Sequence, residues 1–156
     1  WLAAAVENMA RLNRDASEAL QEANAAGNAI HAVTDITGFG LLGHAREMAA
    51  GSRVSIELDH AALPLLPGAL EAAAGGFLAG GLMANREFVE GCVEFADAVP
   101  EDYRRVCYDP QTSGGLLIAI SETAAGAAVA ALAKRNVAAA RIGRVVEKRS
   151  PLIRVS

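Results

Sequence analysis

The chain has 156 residues, of which 53% are hydrophobic and only 4% aromatic, with a formal net charge of -4. This length suits one ordinary domain, whose core must be built from small aliphatic side chains. Its few Lys and Arg are scattered rather than clustered, so we expect no nucleic-acid partner. The apolar stretches end before the roughly 20 residues that cross a bilayer, so we expect no membrane partner either.

Cysteine content indicates a reducing, cytoplasmic setting. Cys92 and Cys107 are too few for a disulfide framework, and no paired Cys or His spacing suggests zinc. Both lie in apolar-flanked segments, so we expect core residues rather than nucleophiles. The chain opens at Trp1 without an initiator methionine, and we therefore expect a fragment or processed product of a longer protein.

The first third of the sequence predicts a long helix and then a strand, turn and helix. Apolar residues recur at helical spacing over residues 1–26, and residues 27–28 are expected to stop that helix. Residues 29–34 predict a strand with Asp35 at its carboxyl end. The glycine turn at residues 37–40 follows, and the apolar residues after it return to helical spacing.

The middle third is less regular. Residues 54–58 alternate apolar and polar side chains, which predicts a strand with one wet face at or near a sheet edge. Residues 68–74 predict a short helix, whereas the glycine pair before residue 82 indicates irregular structure over residues 80–86. Residues 89–96 are predicted as a strand.

In the last third, residues 100–106 are predicted as a helix, residues 109–115 as a loop and residues 116–120 as a strand. A second helix is predicted for residues 122–135, and two strands for residues 141–146 and 152–155. Ser121 is placed as the cap of the second of these helices. Alternating helices and strands, with some connections short enough for antiparallel pairing, imply an α+β fold in α/β layers. We expect one domain over residues 1–156, with helices packed on a mixed β-sheet.

Two segments have residues suited to ligand chemistry. In the first, an acidic side chain at a strand end, Asp35, precedes glycines and a helix start, so it could hold a hard cation while free backbone N–H groups face anionic oxygens. An Asp at this position is equally a turn former or helix cap. The second, residues 109–117, could approach a ligand through Gly114 and Gly115, or could be an Asp-Pro turn leading into a buried strand.

The wording of these segments resembles the selenophosphate synthetase family, also called selenide, water dikinase. Residues 35–44 read DITGFGLLGH and residues 109–116 read DPQTSGGL, as in two signatures of that family. Residues 9–14, MARLNR, resemble its M-x-x-L-N-R helix, and residues 85–86 resemble its N-R pair. The resemblance covers essentially the whole chain. It implies a fold similar to the carboxy-terminal domain of aminoimidazole ribonucleotide synthetase.

The resemblance also implies a function for a two-domain parent enzyme, whose amino-terminal ATP-binding half is absent here. That enzyme makes selenophosphate, AMP and orthophosphate from ATP, selenide and water, requires magnesium, and is expected to be a homodimer. Selenophosphate then supplies selenium for selenocysteine. The family's nucleophile lies in the amino-terminal half, so we expect no catalytic residue here and an inactive fragment. The family's one carboxy-terminal metal ligand maps onto Asp35.

Two other functions stay open at this point: a free-standing binding or scaffold module, and another ATP-using small-molecule enzyme of the same superfamily. Residues 111–113 are expected to face the cleft between the domains, with an exposed backbone. His44 and Glu47 share a helical face, but with no third ligand we interpret them, together with Arg46, as a solvent-facing side. Asn85 either orients a loop at the domain interface or satisfies its own backbone, and we do not count it as a site residue.

Overall fold

The computed structural model describes residues 1–24, 27 and 29–156, so that Ala25, Ala26 and Asn28, where the first predicted helix was expected to end, lie outside the described residues. The helices are α1 (Leu2–Ala10), α2 (Arg14–Ala23), α3 (Gly40–Ser52), α4 (Ala69–Ala74), α5 (Leu82–Phe88), α6 (Glu101–Tyr108) and α7 (Glu122–Lys134), with a 3-10 turn at His60–Ala62. The strands are β1 (Ile30–Asp35), β2 (Val54–Leu58), β3 (Val93–Phe95), β4 (Leu116–Ile120), β5 (Gly143–Glu147) and β6 (Ile153–Val155). The α+β class is therefore as predicted. Among the described residues, no helix is both long and apolar enough to cross a bilayer.

The strands form a mixed sheet, as predicted, and a separate ribbon, which was not. The sheet has the order β3-β6-β2-β5, in which β2 is antiparallel to β5 and parallel to β6, while β3 is parallel to β6. The ribbon is the antiparallel pair β1 and β4. The strands therefore form two separate sheets, and Asp35 lies at one end of the ribbon.

The prediction that β2 lies at or near an edge is confirmed in its second form: β2 has a partner on each side, but one of them, β5, is the edge strand. The polar residues of β2 have partners from the chain near residues 144–149. The hydroxyl of Ser55 is buried and exchanges hydrogen bonds with the backbone of Arg149, and Glu57 pairs with Arg144 and Arg149. The alternating pattern therefore marks one buried polar group, Ser55, and one, Glu57, that forms ion pairs at the surface.

The main core lies between α3 and the mixed sheet. Its buried members are Leu42, Ala45, Ala49, Ile56, Leu58, Val89, Val99, Cys107, Ile153 and Val155. Small residues on α3 let the helix approach the sheet closely, and each fully buried large aliphatic side chain contributes about 2 kcal/mol. Burial of this α3 face fixes the direction in which the helix leaves the turn after Asp35.

A second, smaller core covers the ribbon. Ala16, Ala19 and Leu20 of α2 pack with Leu132 of α7 against the apolar side of β1 and β4. Arg135, just after α7, forms ion pairs with Glu18 and Glu22 of α2 at 2.7 and 2.6 Å. This layer holds one face of the ribbon.

The single helix predicted for residues 1–26 is wrong, because the chain breaks at residues 11–13 and forms α1 and α2. Arg11 is extended and Asn13 stands at the start of α2. The two helices also bury different surfaces: α2 packs on the ribbon, whereas α1 buries none of its residues. A continuous apolar stripe did not reveal this change of direction.

Two further predictions fail in the middle third, and the predicted position of Ser121 before α7 is confirmed. Residues 80–86 are not irregular, because Gly81 is the first capping residue of α5 rather than a break, and α5 buries Leu82 and Asn85. The strand predicted for residues 89–96 shrinks to β3. Ser121 does stand at the start of α7, and its Oγ lies 2.9 Å from His31 Nε2.

Candidate metal-binding turn

The ribbon brings the two segments with ligand chemistry side by side. Asp35, the last residue of β1, is paired with Leu116, the first residue of β4. Beyond that pair the main chains continue to bond: Ile36 N–H donates to Gly115 O at 2.9 Å, and Gly114 N–H donates to Ile36 O at 2.9 Å. Residues 35–44 and 109–116 therefore form one structural unit.

Two glycines of this unit, Gly40 and Gly43, stand where a side chain would not fit. Gly40 has φ 67°, and a Cβ there would lie 2.8 Å from the carbonyl oxygen of Asp109. A Cβ at Gly43 would lie 2.5 Å from the Cβ of Phe39, so its absence lets Phe39 fold back along α3. A side chain at residue 40 would push the two segments apart, so Gly40 serves their contact, whereas Gly43 makes room for Phe39 within the first segment.

His44 lies under the turn, so the prediction of a solvent-facing helix side was wrong for this residue. Its side chain is buried, and Nε2 lies 3.1 Å from both the backbone N and the Oγ1 of Thr37. Helical side chains tilt toward the helix start, which directs this ring from the second turn of α3 back over the preceding loop. His44 thus accepts the Thr37 N–H bond, whereas Glu47 on the same helix is exposed.

Asn85 is the functional candidate that sequence reasoning left out. It is 6% exposed, and its Nδ2 donates to Gly38 O at 2.8 Å and to Tyr108 O at 2.9 Å. The alternative in which it satisfies its own backbone is therefore wrong. The signal in the sequence was the N-R pair after a glycine pair, but nothing local indicated which carbonyls the amide would reach.

Asp35 is exposed at the open side of the turn. Among the described residues, no hydrogen bond or ion pair engages its carboxylate, and the residue before α3 is Phe39 rather than Asp35. The carboxylate borders a shallow depression lined by Asn13, Arg14, Ser17, Val33, Thr34, Asp35 and Leu116. A free carboxylate beside polar side chains fits a hard cation, although Mg²⁺ would need further oxygen ligands. The described residues contain no cluster of three or more His, Cys, Asp or Glu side chains that could supply a complete site.

The second segment contributes a partly buried acid and a loop tied to α1. Burial raises the pKa of Asp109, which directly follows α6. Thr112 is exposed. The backbone of the loop was expected to be free, but it is hydrogen-bonded: Gln111 N–H donates to Thr37 O at 3.0 Å, and Asn8 Nδ2 donates to Ser113 O at 2.7 Å. That residues 111–113 face an inter-domain cleft stays a prediction.

The two cysteines differ in solvent exposure, and both are free thiols. Cys107 is 1% exposed in the main core, and burial raises the pKa of its thiol to about 12, which confirms its interpretation as a core residue. Cys92 is only half-buried, in the turn before β3. A deeply buried neutral thiol cannot act as a nucleophile, so Cys107 has a packing role.

Comparison with known proteins agrees with this architecture. The family described as AIR synthase related protein, C-terminal domain, matches residues 4–155. The selenide, water dikinase of Caldanaerobacter subterraneus subsp. tengcongensis is 44% identical over 147 residues, which are 92% of this chain and 40% of that protein. The selenide, water dikinase of Pelobacter propionicus is 43% identical over 151 residues, or 96% of this chain and 41% of that protein.

Solved structures show the same fold. The crystal structure of E. coli HypE, a hydrogenase maturation protein, has a TM-score of 0.60 at 23% identity, over 87% of this chain and 34% of that chain. At this identity the likeness concerns the fold alone. The chain spans about 40% of the length of the curated relatives it matches. With the match over residues 4–155, the chain belongs to the AIR synthase related family, corresponds to its C-terminal domain, and is similar throughout to selenide, water dikinases.

Proposed function

We propose that this chain is the carboxy-terminal domain of a selenide, water dikinase, whose full-length parent makes selenophosphate, AMP and orthophosphate from ATP, selenide and water. The observation that carries the proposal is the unit formed by residues 35–44 and 109–116. These two segments hydrogen-bond to each other and leave the carboxylate of Asp35 exposed at their junction. Among the residues that the structure describes, none makes a hydrogen bond with that carboxylate, which supports its being available for a ligand.

In this proposal the chain supplies one wall of a phosphoryl-transfer site. Asp35 is the residue that would hold Mg²⁺, and a bound Mg²⁺ would neutralise charge on the phosphates of ATP. The turn keeps the carboxylate at the end of a paired strand, where its backbone is fixed. Since phosphoryl transfer depends on positioning and charge neutralisation, a wall without its partner should be nearly inert.

The remaining parts of the proposal concern partners and location. The apolar side chains of Leu2, Val6 and Met9 recur along α1 and are exposed, which supports a covering surface on an amino-terminal domain of the same protein. We assign the ATP-binding machinery and the homodimer contact to that domain. The two unpaired cysteines are in keeping with a cytoplasmic enzyme.

The test is Asp35→Asn in the full-length parent. The substitution keeps the size of the side chain but removes its charge, so we expect selenide-dependent AMP formation to fall about 100-fold and its magnesium dependence to shift to higher concentration. Mn²⁺ binding followed by electron paramagnetic resonance gives a readout that does not depend on turnover. Wild-type activity and metal binding in this variant would contradict the proposal.

A matched control is Asp59→Asn, which changes an exposed carboxylate whose one partner among the described residues is the N–H of Ala61. It should leave AMP formation and Mn²⁺ binding unchanged. The isolated 156-residue chain should form no AMP from ATP and selenide, and AMP formation by a homogeneous preparation would contradict the assignment of the chemistry to the other domain.

A further inference from the structure

Asn85 connects the two segments from a third element, α5. A primary amide has two N–H donors, and here Nδ2 is within hydrogen-bond distance of two carbonyl oxygens, those of Gly38 and Tyr108. Gly38 belongs to the turn after Asp35, and Tyr108 directly precedes residues 109–116. One buried side chain therefore ties both segments to α5.

The surroundings explain why an amide stands there instead of an apolar residue. Tyr108 is the last residue of α6, where backbone carbonyls have no partner within the helix, and Gly38 lies in a loop. Buried carbonyl oxygens without a hydrogen-bond donor are costly. An apolar side chain at residue 85 would take the Nδ2 donor away from the carbonyls of Gly38 and Tyr108. Packing alone would favour an aliphatic residue, so the amide is explained by what it holds.

The turn is fixed from two sides as a result. From α3, His44 accepts the N–H bond of Thr37, and from α5, Asn85 donates to the next carbonyl, that of Gly38. Mg²⁺ demands near-octahedral ligand placement, so a carboxylate that ends the preceding strand needs a rigid backbone behind it. We propose that Asn85 is a positioning residue that holds the turn at residues 36–40 and so orients Asp35, an inference that rests on the proposed function.

The first test needs only this chain. In Asn85→Asp the shape is kept, but an ionised oxygen replaces the amide donor opposite two carbonyl oxygens. At pH 8 we expect the amides of Gly40 and Gln111, which both donate to Thr37 O, to exchange hydrogen at least tenfold faster than in the wild type. The Ile56 amide, which donates to Leu152 O in the mixed sheet, should stay within twofold.

A pH comparison separates loss of the donor from general damage. Repulsion by two carbonyl oxygens favours the neutral acid of Asn85→Asp, which regains one O–H donor as the pH falls. The exchange ratio between variant and wild type at Gly40 should therefore drop toward one at pH 5. Taking the ratio removes the pH effects that the two proteins share. An elevated ratio that does not change with pH would overturn the role of the donor.

Two further variants keep the test decisive. Ser55→Ala removes another buried side chain that bonds the main chain, that of Arg149, and should speed exchange near that residue without affecting Gly40. If Asn85→Asp does not fold, Asn85→Ser, which is smaller and uncharged, replaces it and should give the same local pattern without the pH dependence. The proposal is overturned if the turn amides exchange at the wild-type rate, or equally fast in Ser55→Ala.

The second test uses the full-length protein. In Asn85→Ser the magnesium concentration for half-maximal AMP formation should rise at least fivefold, with a smaller change in kcat, because the ligand is misplaced rather than lost. Unchanged magnesium dependence in Asn85→Ser, with a shift in Asp35→Asn, would overturn only the positioning role. Unchanged dependence in Asp35→Asn would overturn the proposed function itself.

Discussion

The inner and outer sides of the turn at residues 36–40 differ in what the fold does with their polar groups. On the inner side, His44 and Asn85 are buried, and their polar atoms bond the backbone of Thr37, Gly38 and Tyr108. On the outer side, the carboxylate of Asp35 is exposed and bonds none of the described residues. Inner substitutions should therefore cost stability as well as the placement of Asp35, whereas substitution of Asp35 itself should cost function with little loss of stability.

The largest effect is expected for Gly40→Ala on the inner side. Alanine at this position would have to adopt a left-handed backbone conformation, and its Cβ would lie 2.8 Å from the Asp109 carbonyl oxygen. Backbone strain and overpacking together should lower the free energy of unfolding by about 3 kcal/mol, measured by urea denaturation. Gly51→Ala in the same helix meets no atom within 4 Å and should be neutral or stabilising. Equal stability of the two variants would contradict close contact between the segments.

An intermediate, pH-dependent effect is expected at Cys107, in the core beneath the inner side. Burial raises the pKa of this thiol from 9.0 to about 12, so the unfolded chain loses its proton first as the pH rises. Stability should therefore fall above pH 9, by about 1 kcal/mol between pH 8 and pH 10. Cys107→Ala removes this contribution, so the stability difference between the two proteins should shrink by that amount over the same pH range. A constant difference would show that the thiol titrates normally.

The smallest effect is expected for Asp35→Asn on the outer side. Because the carboxylate is exposed and bonds no described residue, the free energy of unfolding of this chain should change by no more than about 0.5 kcal/mol. Thermal unfolding of the 156-residue chain measures it. A loss as large as that of Gly40→Ala would mean that Asp35 supports the turn, and the contrast between the two sides would disappear.

Local sequence patterns predicted much of the fold but little of the inner side. The spacing of apolar residues is a local property, so α3, α7, β1 and β4 could be placed along the chain. The same reasoning placed Asp35 at a strand end. It could not show that residue 85 lies against residues 38 and 108, because that contact depends on how α5 and α6 pack. The direction of the His44 ring depends in the same way on the loop folded above it.

The separation into ribbon and mixed sheet was also beyond local patterns. Whether two strands share a sheet depends on pairing between distant residues, such as Ile30 with Ile120. The alternation in β2 predicted a wet face, but the partners of Ser55 and Glu57 come from the chain near residues 144–149. Polar side chains satisfied by distant residues look, in sequence, the same as polar side chains in water.

The position of β6 bears on how this chain is made. Residues 153–155 lie between β2 and β3, in the interior of the mixed sheet, although they follow both strands in the chain. During synthesis, β2 and β3 have no such neighbour until these residues are available, and the main core under α3 stays open. Strand pairing across such distances is slow compared with helix formation. We therefore expect α3 to form early but to be anchored late, so that the turn before it becomes rigid only after residues 153–155 have been synthesised.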